Sequence, residues 1–380
     1  MTGRQIGLDA HLLSLRPGYR AAGVSHLIYH LLMHLPAAND VLRYTAFLSE
    51  LCPELPIQIR QQVSALPTRQ PLVRIFWEQF VAPVVAWRQG VDLWHALVNV
   101  QPMLMPCPAI VTIPDLSYLR YPELFQRGKR LYNRLFGRWT AKRARHIIAI
   151  SQSTKDDIVR HYHISPGKIS VIYPGMDEGF CPLDDAAASA FRMRKGLPEH
   201  IILFVGTIEP RKNLVRLLQA FAMLRRAGDL PHHLIIGGGK GWMYEQVFTT
   251  AQELALGDRV HFVGFIPQEE LAEWLRAADL FIYPSLFEGF GLPPLEALAC
   301  GTPVIVSDIS SLPEVVGDAA LKVNPYRPEE MAAAMQRVLT DRALAAELRA
   351  AGPQQAARFS WQKAAQETVS VYRRVLEQKA

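Results

Sequence analysis

The sequence predicts an α/β protein with two Rossmann-like, doubly wound domains that face each other across a cleft. Apolar, β-branched runs alternate with segments of helical periodicity, which is typical of βα units around a parallel sheet. The alternation occurs in two blocks, and 380 residues exceed the ~100–200 residues of one ordinary domain. A stretch rich in Pro, Gly, Asp and Ala separates the blocks and is interpreted as a linker.

The first block, residues 1–175, is predicted to be an N-terminal, Rossmann-like domain. Its predicted strands are Gln5–Asp9, Arg43–Leu48, Asp92–His95, Ala109–Ile113, His146–Ile150 and Ile169–Tyr173. Its most distinct predicted helices are Val24–Leu35, Leu72–Trp87 and Ser153–Tyr162. The linker follows at residues 176–199.

The second block, residues 200–355, repeats the pattern and is predicted to bind the ligand. Its predicted strands are His200–Val205, His233–Ile236, Arg259–Phe262, Asp279–Tyr283, Pro303–Val306 and Ala319–Lys322. After Tyr326 the chain is helical and Ala-rich, with a predicted break near Gly352–Pro353. The last helix, residues 356–380, carries an apolar stripe and is expected to pack back on the first domain.

Composition excludes several classes of protein. Charged residues at 20% and hydrophobic residues at 49% describe a globular protein rather than a disordered one. The start lacks a signal-peptide pattern and no apolar run reaches ~18 residues, so a cytoplasmic location is expected. The four cysteines are far apart and indicate neither zinc nor a disulfide framework. The net charge of +6 is modest, and no nucleic-acid partner is predicted.

Residues 122–145 interleave aromatic and leucine side chains with Lys and Arg. One interpretation is a basic amphipathic helix that lies on an anionic membrane, which would place the protein peripherally on the inner face. The alternative is a helix that packs its aromatic face on a sheet and leaves its basic face in water. The sequence leaves both open.

Ligands of open α/β sheets bind beyond the carboxyl ends of the strands, which directs attention to the loops there. The strand that ends at Gly206 runs into TIEPRKN, where Arg211 and Lys212 precede a helix with Asn213 as its predicted N-cap. Two cations beside a helix N-terminus predict an anion site suited to a diphosphate. The alternative is a solvated basic turn.

A second loop holds two carboxylates within PSLFEGFGLPPLEAL. Two consecutive prolines exclude one continuous helix, so Glu288 is predicted in a loop and Glu296 in the first turn of a helix from about Pro294. Gly289 and Gly291 would let backbone N–H groups approach a ligand. Glu296 would accept hydrogen bonds from ribose hydroxyls and Glu288 from a sugar ring.

A third loop, VGFIPQEEL, is predicted to hold a base edge with the main chain around Ile266. Cations for phosphate and carboxylates for hydroxyls together indicate a nucleotide sugar rather than a bare nucleotide. Neither a P-loop nor an intact G-x-G-x-x-G occurs, so a nicotinamide or P-loop site is not supported.

GTIEPRKN, followed by GDRVHFVGFIPQEELAEWLRAADLFIYPSLFEGFGLPPLEALACGTPVI, resembles the donor domain of family 4 glycosyltransferases, glycosyl transferases group 1, which have the GT-B fold. Glu288 and Glu296 have the spacing of that family's E-x7-E motif. The likeness is strong over residues 201–323 and more diffuse before residue 151.

The resemblance implies roles for the loop residues. Arg211 and Lys212 would bind the donor diphosphate, and Glu296 the ribose. The transferred sugar would be held by Glu288 with the amides of Gly289, Phe290, Gly291 and Leu292.

The resemblance also implies a retaining hexosyltransferase that needs neither metal nor cofactor. GDP-mannose or UDP-glucose would be the donor, and a glycan or lipid-linked molecule the acceptor. No Asp-x-Asp motif occurs, in agreement with an absence of metal ligands.

On the acceptor side, Pro114 stands where relatives commonly have a histidine before Asp115. Asp115 is then predicted to contact the acceptor or remove its proton, or His95 substitutes for the missing histidine. The alternative for His95 is a core position. Gly18 and Gly23, in RPGYRAAGVS, are predicted to approach the acceptor or the diphosphate.

Two other functions stay open from the sequence. A non-catalytic, nucleotide-sugar-binding or scaffold subunit of a glycan assembly system would keep the fold and lose turnover through Pro114. A nucleotide-sugar epimerase on the same fold would convert the donor without an acceptor.

Overall fold

The computed structural model describes residues 3–14, 23–39, 41–122, 127–183, 185–228 and 230–378. The chain divides into two compact units, one formed by Met1–Gly175 with Ser360–Ala380 and one by Met176–Phe359. Each unit contains one parallel sheet with helices, so the predicted α/β class with two doubly wound sheets is confirmed.

The sheet of the first unit has seven parallel strands. They are β1 (Gln5–Asp9), β2 (Arg43–Leu48), β3 (Ile59–Val63), β4 (Leu93–Ala96), β5 (Ala109–Ile113), β6 (His146–Ala149) and β7 (Ile169–Val171). Their order is β3-β2-β1-β4-β5-β6-β7, so the direction of winding reverses between β1 and β4. The sequence analysis missed β3 because IRQQV is mostly polar, as an edge strand with one neighbour allows.

Helices of the first unit connect these strands. They are α1 (Val24–Ala38), α2 (Pro71–Phe76), α3 (Ala82–Arg88), α4 (Ser117–Arg120), α5 (Arg127–Arg143) and α6 (Gln152–Tyr162). Trp77–Val81, between α2 and α3, is a π-helical segment within the single helix predicted there. Successive strand residues point to opposite faces of a sheet. Accordingly, one buried cluster joins α1 to Ile6 and Leu8, and another joins α3 and α6 to Trp94 and Val111.

The second unit begins with α7 (Asp185–Lys195), which lies within the segment interpreted as a linker. Its strands are β8 (Ile201–Val205), β9 (His233–Gly237), β10 (Val260–Gly264), β11 (Leu280–Tyr283), β12 (Val304–Ser307) and β13 (Leu321–Val323). Its further helices are α8 (Leu214–Ala227), α9 (Glu245–Glu253), α10 (Gln268–Arg276), α11 (Leu292–Ala299), α12 (Leu312–Val316), α13 (Pro328–Thr340) and α14 (Arg342–Ala356). The parallel sheet has the order β10-β9-β8-β11-β12-β13, and its winding reverses between β8 and β11.

The predicted helix break near Gly352–Pro353 is wrong, because α14 continues to Ala356. A Cβ on Gly352 would come within 2.6 Å of the carbonyl oxygen of Leu298. This glycine therefore permits close packing of α14 on α11 and does not end the helix. The chain leaves helical geometry after Ala356. The next helix begins after Ser360, whose hydroxyl caps it by accepting a hydrogen bond from the Lys363 amide at 3.2 Å.

The final helix, α15 (Trp361–Glu377), belongs to the first unit and packs against α1. The Trp361 ring stacks on His30 with centroids 4.9 Å apart. Farther along α15, Val369, Tyr372 and Val375 are buried in the cluster that contains Ile6 and Leu8. In the part of the chain that the structure describes, no helix has the length and apolar character needed to cross a membrane.

Candidate functional site

The two charged loops of the second unit follow β8 and β11, the strands between which the winding reverses. Such a switch point is where open α/β sheets bind ligands, because the loops diverge to opposite faces there. The Leu286 amide donates to the carbonyl of Arg211 at 2.8 Å, and the Arg211 guanidinium donates to the carbonyl of Phe287 at 2.8 Å. The two loops are thus joined by main-chain contacts.

Four charged side chains meet between these loops. Lys212 Nζ lies 2.6 Å from Glu288 Oε1, and Arg211 Nη1 lies 2.9 Å from Glu288 Oε2. Arg211 also donates to Glu209 Oε1 from Nε at 2.9 Å and from Nη2 at 2.8 Å. Lys212 further donates to the Tyr283 hydroxyl. We call Glu209, Arg211, Lys212 and Glu288 the loop charge cluster, in which two cations balance two carboxylates.

The loop charge cluster perturbs the titration of its members. Burial favours the neutral form of Glu288, but the Arg211 and Lys212 cations outweigh it and bring the pKa of Glu288 to about 2. Burial lowers the pKa of Lys212, and the Glu288 carboxylate opposes that shift. Glu288 is therefore ionised at every physiological pH.

The structure places Glu288 in the loop, as predicted, and fixes it on both sides. Its amide donates to Ser310 Oγ at 2.8 Å. Its carbonyl accepts from Ser310 Oγ at 2.6 Å and from Ser311 Oγ at 3.0 Å. Ser310 itself has a positive φ of 64°, an uncommon conformation for a residue with a side chain. These contacts hold the carboxylate toward the two cations.

Glu296 lies in the second turn of α11, and its predicted place in the first turn is wrong. The helix begins at Leu292 because Pro293 and Pro294 occupy positions where no backbone donor is needed. Glu296 is then the fifth helical residue and is buried.

Gly291 caps α11 with a φ of 112°, and a Cβ there would lie 2.7 Å from the side chain of Leu312. Only glycine fits both the conformation and the space. The predicted sugar-contacting stretch Gly289, Phe290, Gly291 and Leu292 thus forms the turn into α11. Ser311 Oγ donates to the carbonyl of Phe290 at 2.7 Å and holds this turn in place.

Gly206 directly follows β8 and lies beside Gly237 and Gly238 at the end of β9. Its amide donates to the carbonyl of Gly237 at 2.9 Å, and a Cβ on Gly238 would come within 1.9 Å of the Gly206 oxygen. The glycines of GGGKGW therefore allow the loop after β9 to pack closely against the loop after β8. The Ile266 side chain packs on Gly237. The contact between the Ile266 main chain and a base stays a prediction.

Asn213 occupies the N-cap position of α8 but does not cap it. Its backbone is left-handed, with φ 61°, and its side-chain amide donates to the carbonyls of Pro284 at 3.1 Å and Pro325 at 2.7 Å. The predicted capping contact is wrong, and the residue instead ties its own loop to the loop that carries Glu288.

On the first unit, the structure describes three of the four predicted acceptor-side residues, His95, Asp115 and Gly23. His95 is fully buried, with Nδ1 2.7 Å from the Tyr372 hydroxyl and Nε2 2.8 Å from Thr112 Oγ1. Burial lowers the pKa of His95 to about 3. This is the geometry of a core histidine, the alternative interpretation above, and it contradicts a direct contact with an acceptor.

Asp115 follows β5 and directs Oδ1 at Ser117, whose amide donates at 2.9 Å and whose hydroxyl donates at 2.6 Å. The Pro114 carbonyl accepts from Thr154 Oγ1 at 3.0 Å. Gly23 has a φ of 58° and precedes α1 with open space around its Cα. Gly18 lies outside the described residues.

A polar group that the sequence analysis missed lies after β1, at the switch point of the first unit. His11 Nδ1 donates to Asp9 Oδ1 at 2.8 Å, and within the described part of the chain the buried Nε2 of His11 has no hydrogen-bond partner. Burial, followed by the Asp9 carboxylate, raises the pKa of Glu78 to about 8, with Arg74 opposing. Glu78 lies on the π-helical segment, a distortion frequent at functional sites. The signal in the sequence is DAH, which begins at Asp9, the last residue of β1.

Helix α5 buries small residues and exposes leucines together with basic residues. Gly137 and Ala141 are buried against the unit, whereas Leu131 and Leu135 are each 57% exposed. Arg134, Arg138 and Lys142 are exposed on the same helix. The predicted aromatic face is only partly buried: Tyr132 and Phe136 stack on each other at 4.7 Å.

Comparison with known protein families covers most of the chain. Residues 11–180 match the family described as Glycosyltransferase Family 4, and residues 188–355 match Glycosyl transferases group 1. Sucrose-phosphate synthase from Thermosynechococcus elongatus superposes with a TM-score of 0.79 at 25% identity, covering 99% of this chain and 100% of that one. Anabaena Alr3699/HepE, solved with UDP-glucose, shares the fold with a TM-score of 0.73 at 21% identity over 97% of this chain and 99% of that one.

Among curated relatives, the O-antigen chain mannosyltransferase B of Escherichia coli is 30% identical over 70% of this chain and 70% of its own length. The D-inositol 3-phosphate glycosyltransferase of Streptomyces bingchenggensis is 36% identical over 60% of this chain, a match that spans 52% of that relative. Both matches agree with the motifs and the two parallel sheets. The chain therefore belongs to the glycosyl transferases group 1, the family 4 glycosyltransferases of GT-B fold, and is a glycosyltransferase.

Proposed function

We propose that the protein is a retaining, metal-independent hexosyltransferase that moves a hexose, mannose or glucose, from a nucleotide-diphosphate sugar to a glycan or lipid-linked acceptor. GDP-mannose is the first candidate donor, because a mannosyltransferase is among the relatives, and UDP-glucose is the second. The observation that carries the proposal is the loop charge cluster at the switch point of the second unit.

The two cations of the cluster would have different tasks. The Arg211 side chain is 21% exposed, against 8% for Lys212, so we assign the diphosphate to Arg211. Lys212, the more buried cation, would keep Glu288 ionised and hold its carboxylate in place. Positive charge that is in place before the anomeric bond breaks stabilises the departing diphosphate without reorganisation, and one such contact contributes about 3 kcal/mol.

Glu288 would position the transferred sugar. Its pKa of about 2 keeps it an acceptor of hydrogen bonds from sugar hydroxyls and excludes it as a general acid near neutral pH. Its negative charge would also favour the positive character that develops on the anomeric carbon. Glu296 and the Gly289–Leu292 turn keep the roles that the family resemblance implies, ribose and sugar binding.

On the acceptor side we propose that the Asp9–His11 pair binds an acceptor hydroxyl through Nε2 of His11, for which the described ranges of the chain offer no hydrogen-bond partner. The Asp9 carboxylate fixes the tautomer with the proton on Nδ1, so Nε2 is the acceptor atom. Asp115 remains a second candidate for proton removal, with its Oδ1 already holding Ser117.

The proposal is tested by calorimetry and slow donor hydrolysis with a panel that includes GDP-mannose and UDP-glucose. We expect one donor to bind, and Glu288→Ala to abolish hydrolysis while Glu347→Gln, an exposed glutamate on α14, behaves as wild type. Binding without hydrolysis or transfer would favour the scaffold alternative, and conversion of the donor sugar without acceptor would favour an epimerase. If no nucleotide sugar binds, the proposal fails.

We further propose that α5 touches an anionic membrane through Leu131 and Leu135, flanked by its exposed basic residues. Sedimentation with anionic vesicles is expected to recover the wild type, and the Leu131→Gln, Leu135→Gln double variant to stay in the supernatant. Leu72→Gln, which alters an exposed leucine on α2, is the control. Equal recovery with neutral vesicles would contradict the proposal.

A further inference from the structure

A histidine and carboxylate cluster lies at the edge of the second sheet that is opposite to the charged loops. Each of its members directly precedes a strand: His200 precedes β8, His232 precedes β9 and Asp279 precedes β11. These strands are neighbours, in the order β9-β8-β11. Because all strands are parallel, their amino ends lie at one edge, which brings the three side chains together.

The main chain holds this edge rigidly. The His233 amide donates to the His200 carbonyl at 3.0 Å, and the Asp279 amide donates to the Ile201 carbonyl at 2.9 Å. The Ile201 amide in turn donates to Asp279 Oδ2 at 2.9 Å, which orients the carboxylate. The cluster is therefore positioned by sheet hydrogen bonds and not by flexible side chains alone.

The side-chain atoms are spaced for a shared ion and not for direct hydrogen bonds. His200 Nδ1 lies 3.6 Å and His232 Nε2 lies 3.7 Å from Asp279 Oδ2, and all three atoms are within 4.8 Å of one another. Ligand atoms about 2.1 Å from a tetrahedral Zn²⁺ lie about 3.4 Å apart, close to these distances. His232 is 8% exposed, and its Nδ1 has no hydrogen-bond partner among the residues that the structure describes. Within those residues, the ring therefore lacks a close hydrogen bond that would explain its burial.

We propose that His200, His232 and Asp279 bind a divalent transition-metal ion of the Zn²⁺ type. Two imidazoles and one carboxylate are a ligand set that Zn²⁺ uses, with a fourth position for water. The Ile201 amide supplies the outer hydrogen bond that commonly fixes a carboxylate ligand. The sequence analysis expected no metal, from the family resemblance and the lack of an Asp-x-Asp motif. The three ligands proposed here precede separate strands and form no sequence motif.

The site would stabilise the second unit and take no part in transfer. It joins the amino ends of three adjacent strands, whereas the loop charge cluster follows the carboxyl ends of β8 and β11. A ligand that binds only the folded state raises its stability by mass action. This role is compatible with metal-independent chemistry and does not rest on the proposed donor.

The test uses the tag-free full chain, treated with EDTA and titrated with Co²⁺. We expect one equivalent to give the visible bands of tetrahedral Co²⁺, and Zn²⁺ to displace it. His200→Ala, which alters a partly exposed residue, is expected to weaken binding about 100-fold or more, since even outer ligand partners change affinity 10–100-fold. His232→Ala should do the same.

The matched control is His261→Ala, which removes a neighbouring histidine that pairs with His233 at 2.9 Å. It should leave the Co²⁺ spectrum unchanged. Added Zn²⁺ should raise the thermal midpoint of wild type and of His261→Ala but not of His200→Ala. The proposal is overturned if wild type shows no spectrum of tetrahedral Co²⁺ or if that spectrum persists in His200→Ala. It is also overturned if His261→Ala loses the spectrum while His200→Ala keeps it.

Discussion

Replacement of Lys212 by Met should destabilise the second unit because it leaves the buried Glu288 carboxylate with one cation fewer. A pKa near 2 for Glu288, against an ordinary 4.5, corresponds to about 3 kcal/mol of folding free energy at neutral pH. Because the folded-state pKa is depressed, this stabilisation is present above pH 4.5 and is lost as the pH falls toward 2.

Breaking a buried ion pair from either side costs about 3–5 kcal/mol, since the remaining charge is buried without its partner. We therefore expect this cost from Lys212→Met and from Glu288→Gln separately. The double variant removes both charges and should cost much less than the sum, with a coupling energy of about 2–3 kcal/mol. Arg211 keeps its contacts with Glu209 in all three variants.

The assay is hydrogen exchange across a urea series, measured on peptides from residues 280–300. These peptides report the unfolding of the second unit and do not require that the whole chain unfold in one step. Glu347→Gln should change the free energy of unfolding by less than about 0.5 kcal/mol. Strict additivity of the two single substitutions would refute the reasoning that the ion pair is buried and coupled.

Three further predictions concern glycine geometry, pH dependence and the core histidine. Gly291→Ala should lower the stability of the second unit by about 1–3 kcal/mol in the same exchange assay, whereas Gly239→Ala, with open space at its Cβ, should be nearly silent. Glu78 has a raised pKa of about 8, so its protonation favours the folded state and that benefit is lost as the pH rises from 4.5 through 8. Glu78→Gln should therefore melt above wild type at pH 9 and equal it near pH 4, and the same difference at both values would contradict the assignment. Tyr372→Phe should cost about 1–3 kcal/mol in thermal or chemical unfolding, because His95 Nδ1 loses its partner inside the core, and an unchanged midpoint would argue against that bond.

Strand positions were predictable because a buried parallel strand reads as a short apolar run. β1, β2 and β5 have the predicted bounds, and the strands of the second unit differ from prediction by one or two residues at an end. The missed strand β3 lies at a sheet edge and buries little, so it carries no apolar signal. The helix break at Gly352 was wrongly predicted because a glycine that permits helix packing and a glycine that ends a helix look alike in a sequence.

The candidate site was predictable in its residues but not in its contacts. Arg211, Lys212 and Glu288 were identified from the loops that hold them. That Glu288 pairs with Arg211 and Lys212 depends on two loops whose residues lie 76 or 77 positions apart in the chain. Burial of His95 likewise follows from packing, which sequence periodicity does not specify.

The sequence by itself determined the α/β class, the strands and the two charged loops, because each depends on the chemistry of a short stretch of chain. The tertiary structure decided which charges neutralise each other, which polar groups are buried, and which side chains from separate strands share one edge of a sheet. PSLFEGFGLPPLEAL illustrates the division. Its prolines separate Glu288 from Glu296 locally, but only folding brings Glu288 between two cations, since ion pairing depends on distance in space and on exclusion of water.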